Sequence, residues 1–129
     1  MVLIDTHVLI WMMLEPRKLS KRAWDSIRQA RAQASVVIAD VTLWELAWLI
    51  ENQRIAVFTP LERFLEEAVA KLVVAPISAE IASVAARLPA GFPKDPIDRL
   101  ISATAISQGL PLVTADESIR RSPVVSTVW

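Results

Sequence analysis

Val2-Leu3-Ile4-Asp5-Thr6-His7-Val8-Leu9-Ile10-Trp11-Met12-Met13-Leu14 decides the fold. It opens with a short run of β-forming apolar residues that ends on an acid, and then continues as a helix begun at Thr6. A strand with no polar residue alternating through it belongs in a sheet covered on both faces. Working outward, Glu15-Pro16 stops the first helix, and Ser20 caps a second that runs to about Ala34. Ala23, Ile27, Ala30 and Ala34 give that helix one apolar face, with the basic residues mainly elsewhere. Val36-Val37-Ile38-Ala39 repeats the character of the first strand. The spacing Thr42-Leu43-Trp44-Glu45 predicts a capping box that opens a helix to about Asn52, with Glu45 in its first turn.

The remaining chain alternates in the same way. Thr59-Pro60-Leu61-Glu62 predicts a helix capped by Thr59, with Pro60 at its first position, lasting to about Lys71. Val73-Val74-Ala75 is a third strand, and Ser78 opens a helix to about Leu88. Pro89 to Lys94, with Pro89 and Pro93 around Gly91, is a loop that delivers Asp95 to Asp95-Pro96-Ile97-Asp98, the start of a helix through about Gln108 closed by Gly109. Leu112-Val113 and Val124-Val125 supply the last strands, and Asp116 follows the first of them. Strands alternating with helices imply right-handed crossovers and an α/β fold, three layers deep, around a parallel sheet of about five short strands. The 129 residues suit a single domain over residues 1–129, without repeat or linker.

Composition removes whole classes of function. Hydrophobic residues make up 53% of the chain and only two are glycine, which excludes collagenous and disordered readings. No cysteine is present, so disulfides, thiolate zinc sites and cysteine nucleophiles are excluded, and a reducing cytoplasm is the expected setting. The apolar N-terminus lacks a basic leader and carries Asp5 within it, so it reads as folded structure. No stretch approaches the roughly 18 to 20 apolar residues of a membrane span, and a soluble protein is expected. Zero formal net charge argues against a purely electrostatic nucleic-acid binder. Charge is nevertheless uneven: Arg17, Lys18, Lys21, Arg22, Arg28 and Arg31 face only Asp25 in their stretch, which serves either as a solvated helix face or as a guide for an anionic backbone.

Ligands of open parallel sheets sit beyond the carboxyl ends of the strands. Asp5 and Asp116 emerge there, and Glu45 and Asp98 lie near the starts of helices that begin at the same edge. Three of these acids have a structural use of their own: Glu45 in a capping box, Asp98 near a helix N-terminus after the Asp95 cap, Asp116 at the start of a turn or short helix. Asp5 is harder to explain, because burying an unpaired carboxylate is expensive. Four carboxylates at one edge repel each other unless a cation neutralises them. Oxygen ligands select a hard divalent ion, Mg2+ or Mn2+; calcium would need more protein oxygens, and zinc would want more than His7. Such ions activate water and stabilise phosphoryl oxygens, and a phosphodiester is the substrate that fits.

Val2-Leu3-Ile4-Asp5-Thr6-His7, Leu43-Trp44-Glu45, Asp95-Pro96-Ile97-Asp98-Arg99-Leu100-Ile101-Ser102-Ala103 and Leu112-Val113-Thr114-Ala115-Asp116 closely resemble, in content and order, the motifs of PIN-domain ribonucleases. More narrowly they resemble VapC toxins of prokaryotic toxin–antitoxin pairs. The resemblance implies a central parallel sheet, metal-dependent endoribonuclease activity that inhibits translation or growth, a homodimer, and a small cognate VapB-like antitoxin. Position by position, Asp5, Glu45, Asp98 and Asp116 match the family's metal-binding acids. Thr114 matches a hydroxyl residue that supports the last of them. Asp95 matches the first acid of the Asp-Pro-x-Asp string, where capping is the better account. Asp40 departs from the pattern, since a small or hydroxyl residue is commoner there.

Thr6 and His7 adjoin the first motif and serve either to position the metal site or as a helix cap and a packed side chain. Arg99 is expected to bind phosphate or to pair with an acid. The five tryptophans are read as packing, with Trp44 and Trp48 on one helix face suited to a dimer or antitoxin contact. Rival readings are weaker. A two-histidine ribonuclease is impossible with one histidine. A haloacid-dehalogenase-like phosphatase wants a second Asp where His7 stands. A receiver domain wants a late lysine, and none follows Lys94. Glycine-poor loops exclude a P-loop. A non-catalytic binding module with the same fold stays open.

Overall fold

A computed structural model describes residues 1–129. The elements in chain order are β1 Val2–Ile4, α1 Thr6–Leu14, α2 Lys21–Ala32, β2 Val36–Ala39, α3 Val41–Glu51, α4 Leu61–Val69, β3 Val73–Ala75, α5 Ala79–Ala86, α6 Pro96–Gln108, β4 Leu112–Val113, α7 Glu117–Arg120 and β5 Thr127–Val128. A 3₁₀ turn at Pro16–Lys18 joins α1 to α2. The five strands form one parallel sheet in the order β3-β2-β1-β4-β5. The chain thus winds from β1 through β2 to β3 on one side, then returns to build β4 and β5 on the other. Its switch point lies between β1 and β4, where the register pairs Leu3 with Leu112 and Ile4 with Val113 and so brings the carboxyl ends of the two strands level.

The pleat sends alternate apolar residues to opposite faces. Val2, Ile4, Val36, Ile38 and Val113 pack with Val8 and Leu9 of α1, Ala23 and Ile27 of α2, and Phe64 and Ala68 of α4. Leu3, Val37, Ala39 and Leu112 pack with Ile101 and Ala105 of α6 and Ile119 of α7. Two cores sandwich the sheet, which gives the three layers. Leu3, Ile4, Val37, Ile38 and Leu112 are fully buried, and each such side chain contributes about 1.5–3 kcal/mol relative to an exposed one. None of the helices is long and apolar enough to cross a membrane.

The elements differ from the sequence reading at several boundaries, among them the ends of α4 at Val69 and α5 at Ala86, where the sequence reading runs on to Lys71 and Leu88. The N-cap of α1 is Asp5, not Thr6: its Oδ1 accepts from the Val8 amide at 2.9 Å. α2 ends at Ala32 because Ala34 takes the left-handed conformation, φ 51°. α3 begins at Val41 directly after β2, so Thr42 is a buried residue within the helix and no capping box forms; Glu45 lies beyond the first turn. At α4 the cap position is Pro60 with no side-chain bond, and Thr59 is not the cap. The last strand is Thr127–Val128, because Pro123 and Val124 form a turn and Val125 plugs the core under α6 and α7.

Candidate active site

A cleft of about 390 Å³ opens at the switch point, and all four predicted acids line it. Asp5 leaves β1 with its amide bonded to the Val113 carbonyl at 3.2 Å, so the sheet itself fixes its backbone. One carboxylate oxygen caps α1 and the other is left for the cleft. Asp116 leaves β4 on the opposite side of the switch point and caps α7 through the Ile119 amide at 3.1 Å. Asp98 comes from the first turn of α6, which starts at the rim because the Asp95 carboxylate accepts from the Ile97 and Asp98 amides at 2.8 and 3.1 Å. Glu45 comes from α3. Freed from any capping duty, its carboxylate faces the other acids.

Two buried threonines hold the frame. The buried Thr114 hydroxyl accepts from the Asp116 amide at 3.1 Å and lies close enough to Asp5 to offset part of its burial, so it stands between the two strand-end acids. Thr6 donates to the Thr42 hydroxyl at 3.2 Å, which fastens α1 to α3 and sets Glu45 opposite Asp5. Thr42, read from the sequence as a helix cap, serves instead as the buried partner of Thr6. Trp11, read as packing, forms a wall of the cleft, as do His7, Ile101 and Ala115.

Arg99 corrects an expectation. It neither lines the cleft nor pairs with an acid. Its guanidinium donates to the carbonyls of Ala85 at 3.1 Å, Leu88 at 3.4 Å and Pro93 at 3.1 Å, closing the C-terminus of α5 and the loop that carries Asp95. Asp40 also stands apart: its Oδ2 accepts from the Ile77 amide at 3.0 Å and ties the exit of β2 to the exit of β3.

The electrostatics follow from this crowding. Burial pushes the Asp5 carboxyl above the usual carboxylate range, opposed by the hydrogen bonds from Thr114 and Val8 and by His7, and reinforced by Glu45. Burial raises Asp98 to about 7, with Asp95, Asp116, Glu45 and Asp5 each adding repulsion. No lysine or arginine lines the cleft, and the four ion pairs of the protein all lie on its exposed surface. Apart from the His7 imidazole, the polar lining is carboxylate and hydroxyl oxygen, a donor chemistry that fits a hard divalent cation. As they stand, no three of these side chains are grouped closely enough to hold one metal ion by themselves.

Acids from four separate elements, gathered at the switch point of a parallel sheet without a lysine or arginine among them, define a class of α/β protein with an acidic cleft at its strand ends. The chain matches the PIN domain over residues 2–124 and belongs to that family. It is 41% identical to Ribonuclease VapC22 of Mycobacterium tuberculosis (strain ATCC 25618 / H37Rv) over 130 residues, covering 99% of this chain and 98% of that protein. Its fold is similar to VapBC2 from Rickettsia felis bound to a promoter DNA fragment, with a TM-score of 0.75, 16% identity, and 98% and 96% of the two chains covered. It is also similar to DNA-bound VapBC from Salmonella typhimurium, with a TM-score of 0.73, 20% identity, and 98% and 97% covered.

Proposed function

We propose that this protein is a divalent-metal-dependent endoribonuclease and the toxin of a toxin–antitoxin pair. The observation that carries the reading is the convergence of Asp5, Glu45, Asp98 and Asp116 on one cleft without a compensating cation. The likeness to a protein named as a ribonuclease over nearly the whole chain supports it. Bound Mg2+ or Mn2+ would supply a Lewis acid that lowers the pKa of water and offsets charge on the phosphoryl oxygens. Asp5, with one oxygen free and its position fixed by sheet and helix cap, would be the central ligand. Asp116 would share it across the switch point, their spacing set by Thr114. Glu45 and Asp98 approach from the helices and would complete the protein's share of the donors. Asp98, raised to about 7 by burial and the neighbouring carboxylates, would have to give up its proton to act as a ligand. Asp95 holds the first turn of α6 in place, and Thr6 supports α3 through Thr42.

The reaction belongs in the cytoplasm, where a cysteine-free chain and an RNA substrate fit together. A VapB-like antitoxin restrains the activity, a reading supported by the likeness to VapBC assemblies. Trp44 and Trp48 of α3 are 60% and 43% exposed, and we read them as the contact of a homodimer. The activity is tested with purified, antitoxin-free protein on varied RNAs, comparing wild type with Asp5→Asn and Asp98→Asn in manganese, magnesium and EDTA. Wild-type cleavage is expected to fall at least a hundredfold in either variant and to vanish in EDTA. Cleavage that survives chelation would overturn the mechanism.

A further inference from the structure

A second concavity of opposite charge, about 470 Å³, adjoins the acidic cleft. Arg22 of α2, Glu117 and Arg120 of α7, Arg121, Thr127 of β5 and Trp129 line it. Two connections run between it and the acids. α7 is capped by Asp116 in the acidic cleft and ends at Arg120 in the basic pocket, an axial rise of about 6 Å at about 1.5 Å per residue. Trp11, a wall of the acidic cleft, packs against Trp129, a wall of the basic one, with ring centroids 5.8 Å apart at 54°.

The positive charge of this pocket is not spent within the protein. Arg121 pairs with Glu117 at 3.1 Å on the exposed surface, a contact worth little in water. Arg22 and Arg120 take part in no ion pair. Helix stability does not explain Arg22, because it sits in the first turn of α2, where the dipole disfavours a cation. Three other basic residues of its stretch have different surroundings: Lys18 pairs with Glu15, Arg28 pairs with Asp25, and Arg31 borders an apolar groove against α4.

An acidic cleft repels the backbone of the strand it cuts, so binding free energy must come from beside it. We infer that the basic pocket is a substrate subsite: Arg22 and Arg120 hold an RNA phosphate adjacent to the scissile one, and Trp129 stacks a neighbouring base. Guanidinium groups match phosphate oxygens in a fork that lysine lacks, and an indole accepts any base face. The subsite rests on the ribonuclease reading and deepens it.

The test is fluorescence anisotropy of a labelled, mixed-sequence single-stranded RNA on full-length protein over a range of KCl, in an Asp98→Asn background that blocks cleavage. Cleavage kinetics in manganese are run in parallel on otherwise wild-type protein. Arg22→Gln with Arg120→Gln is expected to weaken binding at low salt roughly tenfold or more and to flatten the slope of log K against log[KCl] by about 0.7, the share of the one phosphate the two arginines hold. It should raise KM and leave kcat near wild type. Arg63→Gln, which removes an exposed charge on α4, should leave the slope unchanged. Trp129→Ala should weaken binding at least about fivefold, and Trp129→Phe should restore most of it. An unchanged salt slope in the double variant overturns the subsite, even where cleavage proceeds. RNA binding that depends on these arginines, in a wild-type protein that cleaves nothing in any metal, supports an RNA-phosphate site there but overturns both the ribonuclease reading and the site's role as a substrate subsite.

Discussion

Asp98 holds a proton up to about pH 7 because it is half-buried beneath four other carboxylates. A raised carboxyl pKa means that the folded state binds more protons than the unfolded chain between the ordinary value of 3.8 and about 7. The contribution is therefore fully present below the ordinary value and is lost as pH rises through 7. Asp5 shifts in the same direction. Metal-free wild type is expected to lose melting temperature between pH 5 and pH 8, and Asp98→Asn to lose clearly less, by differential scanning fluorimetry in EDTA. Equal losses in the two proteins would mean that the crowding at Asp98 does not govern the pH dependence. Residue-level reading of the sequence succeeded where the reason was local: Asp95 caps α6 as its Asp-Pro string demands, and the four acids converge because strand ends and helix starts share an edge. It failed at Arg99, which adjoins Asp98 in sequence but projects from a different face of the helix, since successive helical residues do not face each other.

The elements show why some boundaries were legible and others were not. β1 to β4 are dense apolar runs bounded by polar or turn residues and fall where the sequence puts them. β5 does not, because Val124-Val125 is the more apolar pair, yet the turn at Pro123 makes Val125 a core plug and leaves the strand to Thr127-Val128. The Thr42–Glu45 spacing matched a capping box, yet β2 runs straight into α3 and leaves no room for one; the same displacement releases Glu45 to the cleft. Arg99 belongs to this scale, since it stitches the end of α5 and the Pro89–Lys94 loop to α6. Arg99→Met removes the donors to three carbonyls and is expected to cost about 1–3 kcal/mol in urea unfolding. The salt dependence of RNA binding should stay unchanged; a flatter slope would restore Arg99 as a phosphate contact.

Across the whole molecule, a formal charge of zero conceals segregation: an acidic cleft at the switch point beside an arginine-lined pocket. Composition reports the sum and cannot report the separation, which needs α2, α7 and the last strand brought together. The same scale governs association. The exposed indoles of Trp44 and Trp48 lie one helical turn apart on α3. Light scattering should find a dimer at micromolar concentration, and Trp44→Glu with Trp48→Glu should give a folded monomer; a monomeric wild type would remove the α3 contact. Finally, the strand order couples competence to synthesis. β1 is the central strand, but its second edge stays open until β4 is made, and Asp5, the first acid translated, has no Asp116 across from it until then. A nascent chain can assemble β1, β2 and β3 with their helices and still lack half of its carboxylates. The four carboxylates can therefore stand together only after β4 and the start of α7 have been made, near the end of synthesis.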